Sequence, residues 1–390
     1  MIKKASAVIL FIFLCPYVFC ESLILQSYKQ RFSAADIPAK VQILESASGD
    51  RAMNDYIGQL YEHALQFALD NSRFLKNDQS IIRIINIAIN GLRNISFTES
   101  LDVLWKLFFE YQDLPIGAEI LITMGKLGKG NHLIIDNVNN FLIEQNLIFR
   151  SGISVNYAMI SACITAMMEL GDSSSYPALF AVLYSGFPEV IVFEAQGALD
   201  LIPGNYQRFL YDAISEGVPD EKFAAFRAGI NSERLNLSER GQLAELALEQ
   251  SLVSDRENAD LTAMRYAAVL ALTQLRWTRA NQLAISHYYR VLADSQQHIV
   301  SKQRFLEAID LLGAVGNSDA ALVLVLQLGL INARMERTGE YDEEITLAIV
   351  RSLGRIGDKA AYNHLLNVGN LSYPENIQVT AREAIDRLRW

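Results

Sequence analysis

Apolar residues between Ile345 and Trp390 recur at steps of three and four, the spacing of one buried helical face. Ile345, Ala348, Ile349, Leu353 and Ile356 form a first stripe, and Ala361, Leu365 and Leu366 a second. Between them stands Gly357, suited to a left-handed C-cap, followed by Asp358, whose carboxylate can accept a backbone N–H at the start of the next helix. Gly369 ends the second stripe. Pro374 then suits the first turn of a third helix, with Ile377, Ala381, Ala384, Ile385 and Leu388 on one face. A helix, a Gly-Asp turn and a helix have too little surface to bury alone, so such a hairpin must stack on neighbours.

The same join recurs upstream at about forty-residue intervals, the period of a two-helix repeat. Gly316-Asn317 lies between two apolar stripes, and Arg276-Trp277 holds the equivalent place one period earlier. Gly171-Asp172 and Gly128 mark two more, and a further turn is expected near Asn94. Between 172 and 263 the pattern blurs, with turns expected at Pro203-Gly204 and over Asn231–Leu237. Ala348–Ala361 (AIVRSLGRIGDKAA), with weaker copies at Leu312–Ala321 and Met168–Ala178, resembles HEAT repeats, in particular the short HEAT-like kind associated with phycobilin lyases. The likeness is loose over most of 81–390 and closer over its last part. Tetratricopeptide repeats have a shorter period. The resemblance implies an all-α fold, an α-α superhelix made as a HEAT-like solenoid of stacked helical hairpins. It is nearly silent on activity.

Residues 1–20 read as a secretory signal peptide, with Lys3 and Lys4 before the apolar run Ala7–Leu14 and cleavage expected near Cys20. Acylation at Cys15 or Cys20 is the rival reading, but Leu14 and Phe19 are bulky where lipoprotein processing takes a small residue. The apolar run is short for a membrane span, so none is expected after cleavage. Residues 21–80 are expected to form an N-terminal helical capping segment, with Ile57, Leu60, Tyr61, Ala64, Leu65 and Ala68 on one face, and 81–390 to hold the repeats. Loss of the leader removes two lysines and no acids from a chain whose net charge is already −10, which argues against nucleic acid as a partner. Cys163 would be left as the one cysteine, too few for an internal disulfide, which suits a bacterial periplasm.

Motifs for chemistry are sparse. Neither a Gly-x-Ser-x-Gly elbow nor a Walker phosphate loop occurs. The glycines Gly125, Gly128 and Gly130 fall at a hairpin turn with no strand before them. None of the five histidines, His63, His132, His287, His298 and His364, precedes a glutamate, so the His-Glu pairs that hold di-iron in the HEAT-like deoxyhypusine hydroxylase are missing. Glu340, Asp342, Glu343 and Glu344 cluster in an expected long connection, Asn332–Glu344, where negative charge complements the dipole of the helix that follows. His287-Tyr288-Tyr289-Arg290, near Trp277 and Arg279, offers aromatics and arginine of the kind interfaces use as anchors, or rings that pack between repeats.

These observations lead to an exported, non-enzymatic scaffold that binds a protein or peptide on the concave surface formed by the second helices. The expected location is the periplasm or the exterior. Solvent-facing positions expected there are Tyr362, Asn363 and Asn367, or His287, Tyr288 and Arg290. No catalytic, cofactor-binding or metal-binding residues are assigned, and no cofactor is called for. The alternatives are a self-assembling structural component of the cell envelope and a cofactor-handling enzyme on the same solenoid.

Overall fold

The computed structural model describes residues 23–253 and 258–389. The expected leader, residues 1–20, lies outside them, as does Trp390. The fold is all-α: helices stack on their sequence neighbours in solenoid fashion, and among the described residues no strand forms. One isolated bridge joins Asp358 to Arg389.

The chain divides into two compact units, the break falling between Ala178 and Leu179. Unit 1 holds α1 (Leu23–Ala34), α2 (Ile37–Gly49), α3 (Ile57–Asp70), α4 (Ser72–Leu75), α5 (Gln79–Ile95), α6 (Leu101–Tyr111), α7 (Pro115–Leu127), α8 (His132–Arg150), α9 (Tyr157–Leu170) and the start of α10 (Tyr176–Tyr184). Unit 2 holds the rest of α10, then α11 (Glu189–Leu201), α12 (Tyr206–Glu216), α13 (Pro219–Asn231), α14 (Leu237–Val253), α15 (Ala259–Leu275), α16 (Asn281–Gln296), α17 (Lys302–Val315), α18 (Ser318–Thr338), α19 (Glu343–Ile356), α20 (Tyr362–Asn370) and α21 (Glu375–Asp386).

In unit 1 the first helices of successive hairpins form one layer, α3 on α5, α5 on α7 and α7 on α9. The segment expected as a cap is helical over its described part and packs through α2 and α3 onto α5. Ile57, Leu60, Tyr61, Ala64, Leu65 and Ala68 are all buried, as their spacing requires. In unit 2 the first-helix layer runs through α13, α15, α17, α19 and α21, and the second helices α12, α14, α16, α18 and α20 lie side by side as another.

Four hairpins share one join. A residue in the left-handed region ends the first helix: Ser96 (φ 54), Gly171 (φ 65), Arg276 (φ 50) and Gly357 (φ 71). A short 3-10 turn follows, whose third residue (Ser100, Ser175, Ala280 or Ala361) is fully buried. Asp172 and Asp358 cap their turns by accepting the N–H of Ser174 and Ala360, at 2.8 Å in each case. The first of these turns sits at Ser96-Phe97, near Asn94 as expected, with α5 running on to Ile95.

Two asparagines tie consecutive second helices at one sequence offset. Asn146 Nδ2 in α8 donates to the carbonyl of Ala178 at 3.0 Å, and Asn332 Nδ2 in α18 donates to that of His364 at 3.1 Å, each reaching 32 residues ahead. Two expectations change. The connection before α19 is short, since α18 runs on to Thr338 and Gly339 (φ 73) ends it. The buried stripe of α20 is Leu365 and Val368, with Leu366 45% exposed.

Candidate interaction surface

In unit 1 a groove of about 500 Å³ opens between α5 and α7. Asn77 and Gln79 stand at the start of α5 and Asn86 two turns along it; Ile82, Ile116 and Pro115 supply the apolar lining. Asp78 fixes the entry to α5, its carboxylate accepting from Ser80 N at 2.8 Å and Ile81 N at 3.2 Å, so the flanking amides are set at a rigid helix start. Glu119 also lines the groove and accepts from Arg93 at 3.0 Å, while Arg93 donates to Thr123 Oγ1 at 2.6 Å. The Asn77, Gln79 and Asn86 side chains make no hydrogen bond among the described residues, and each offers an N–H₂ donor and a carbonyl acceptor.

Unit 2 presents a different face on its second helices. Between α12 and α14 lies a groove of about 350 Å³ whose lining includes Tyr211, Gln242, Glu245, Glu249 and Arg279. Its polar groups are largely paired already. Gln207 donates to Gln242 at 2.9 Å, and Trp277 Nε1 donates to Glu245 at 2.7 Å. Farther along, α18 turns outward Leu322, Leu326 and Leu330, each more than half exposed. This helix is long and apolar enough to cross a membrane by length and composition. Its Ala321, Leu324 and Leu328 are nevertheless buried against neighbouring helices.

The expected surface positions separate. Tyr362, Asn363 and Asn367 lie on α20 with Asn363 and Asn367 exposed and Tyr362 partly so. His287 and Tyr288 are buried, at 0% and 1% exposure, and it is Tyr289 that faces out, at 47%. This corrects the expectation of an exposed His287-Tyr288 pair, because α17 packs on α16 and the Tyr266 ring of α15 meets His287. Tyr288 stacks obliquely on Phe305 at 5.6 Å, and burial pushes its phenol up. Burial, reinforced by Arg265, Arg290 and Arg304, holds His287 down at about 3. Arg290 reaches the carbonyl ends of α14 at Ser251 and Leu252.

The acidic cluster before α19 serves the helix. Asp342 caps it through Ile345 N at 3.1 Å, and Lys302 binds Asp342 at 3.0 Å and Glu344 at 2.8 Å. Gly125 stands where α7 and α9 touch; a Cβ there would lie 2.5 Å from the Ala166 Cα. Among the described residues no group of three or more His, Cys, Asp or Glu side chains is placed to hold a metal ion. The amide groove of unit 1 had one sequence signal, the run Asn77-Asp78-Gln79, but Pro115 and Ile116 of its apolar lining come from α7, in the next hairpin. It also lies on first helices, whereas the expected surface was on second helices. Compared by sequence with protein families and with curated proteins, the chain matches none of them.

Proposed function

We propose that the protein is an exported, non-enzymatic scaffold of HEAT-like repeats that binds an extended segment of a protein partner. The observation that carries this reading is the groove between α5 and α7, where three unengaged amides stand over an apolar lining. An extended peptide exposes alternating N–H and C=O groups, and amide side chains complement both. Ile82, Ile116 and Pro115 then take apolar side chains of the bound segment. Stacked hairpins suit this use because successive helices repeat the spacing of such contacts along one surface. Export rests on the charged and apolar halves of residues 1–20.

The test is an affinity pull-down with the full chain from cell-envelope extract, repeated with an Asn86→Ala/Gln79→Ala double variant. A partner recovered in stoichiometric amount by the native chain and weakened about tenfold or more in the variant supports the reading. Recovery of a small molecule alone, or a partner held equally by the variant, overturns it. N-terminal sequencing of the cellular protein tests export, the expected first residue being Glu21.

A further inference from the structure

The core of unit 2 contains a concentration of positive charge that its packing does not explain. Arg265 on α15 is 4% exposed, yet its Nε and Nη1 have no hydrogen-bond partner among the described residues. Its Nη2 reaches the Tyr266 hydroxyl at 3.3 Å, and its guanidinium lies 4.9 Å from that ring. Arg304, from α17, lies 4.0 Å from the same ring. His287 of α16 meets the ring edge-on at 5.9 Å, and neither of its nitrogens has a partner among the described residues. Glu307 accepts from Arg304 at 2.7 Å. Asp294, farther along α16, is buried as well.

A buried guanidinium with two unused N–H groups is costly, because desolvation is not repaid by a partner. At 4% exposure the side chain cannot turn these charged donors toward bulk water. Apolar neighbours cannot meet that demand, and a cation would add to the repulsion. A small group bearing several acceptor oxygens and negative charge meets it. Arg304, with 38% of its side chain exposed, marks a solvent-facing side of the cluster.

We propose that Arg265, Arg304 and His287 form a binding site for a small oxyanion, a phosphate or carboxylate group. Arg265 supplies the buried donors, Arg304 the charge nearest solvent, and the neutral imidazole one further N–H. The site lies within α15–α17 and is independent of the amide groove in unit 1.

Isothermal calorimetry and thermal shift on the full chain test it, with inorganic phosphate, sulfate and acetate each compared with chloride at matched ionic strength. The expected result is saturable binding of at least one oxyanion, weakened about tenfold or more in Arg265→Met and several-fold in Arg304→Met. The exposed Arg382→Met leaves it unchanged. Preference for phosphate and sulfate identifies a tetrahedral ligand, and preference for acetate a carboxylate. Sulfate does not titrate between pH 5 and 8, so tighter sulfate binding at the lower pH reports proton uptake by His287. If Arg265→Met fails to fold, Arg304→Met carries the test. Absence of saturable binding, or equal binding by the native chain and Arg304→Met, overturns the proposal.

Discussion

At the scale of single residues, the repeated join is defined by one backbone angle. Gly171 and Gly357 adopt the left-handed region freely, whereas Ser96 and Arg276 hold φ near 50° with a Cβ in place. Ser96→Gly is therefore expected to stabilise unit 1 by about 1 kcal/mol, read as a higher urea midpoint at unchanged m-value. Gly357→Ala should cost about 1–2 kcal/mol, since its Cβ would also stand 3.0 Å from the Arg387 carbonyl oxygen. An unchanged midpoint in both variants would remove the left-handed join as a stabilising feature. The same angle explains what could be read from sequence. Glycine marked the turns at 171 and 357 directly, but the αL residue before Phe97 is a serine, and that turn could be placed only near Asn94.

At the scale of elements, the helices were legible because each stripe is local, while the surface was not, because coverage depends on the neighbouring hairpin. All the stripe residues expected of α3 are buried, yet Leu366, beside Leu365 in an apolar pair, faces out. His287 and Tyr288 look like interface anchors in a linear reading and are core residues once α15 and α17 are in place. The groove between α5 and α7 was equally hidden, since its amides and Ile82 are separated from Pro115 and Ile116 by the whole of α6. Contacts between hairpins also carry their own energies. Asn332 is 2% exposed, donates to the His364 carbonyl and accepts from the Tyr373 hydroxyl at 3.1 Å. Asn332→Leu leaves both partners unsatisfied and should cost about 1–3 kcal/mol in chemical denaturation. Tyr373→Phe removes one donor from the same pair and should cost less. Where α7 meets α9, Gly125→Val should cost about 1–3 kcal/mol or more, because the obstacle is the backbone of Ala166 rather than a movable side chain. Equal stability of Gly125→Val and the native chain would mean the two helices can separate without loss.

For the molecule as a whole, these local environments converge on one response to acid. His287 stays neutral in the fold down to about pH 3, but in the unfolded chain an imidazole takes up its proton near pH 6.5. Between those values the unfolded state binds one proton more, so stability falls as pH falls, by at most about 1.4 kcal/mol per unit. The carboxylates act in a lower window. Hydrogen bonds hold Asp113, Asp172 and Asp358 below the usual aspartate range, through Lys76, the Ser174 backbone and Ser318 respectively. Their stabilisation is complete above the unfolded aspartate value near 3.8 and is lost as pH falls through their lower folded values. The contribution of His287 thus declines first and separately. Between pH 7.5 and 5 it amounts to about 2 kcal/mol of lost stability, most of it below pH 6.5. Urea unfolding across that range, with full chain and with His287→Phe, isolates it. The variant has its own stability at pH 7.5, so the informative quantity is the slope: the native chain should weaken steadily toward pH 5 and the variant much less. Parallel slopes would mean that the imidazole titrates normally in the fold and that the arginines around it are already neutralised. Added phosphate or sulfate provides the complementary reading, since an anion beside the ring favours its protonated form and should flatten the native slope while leaving that of His287→Phe unchanged.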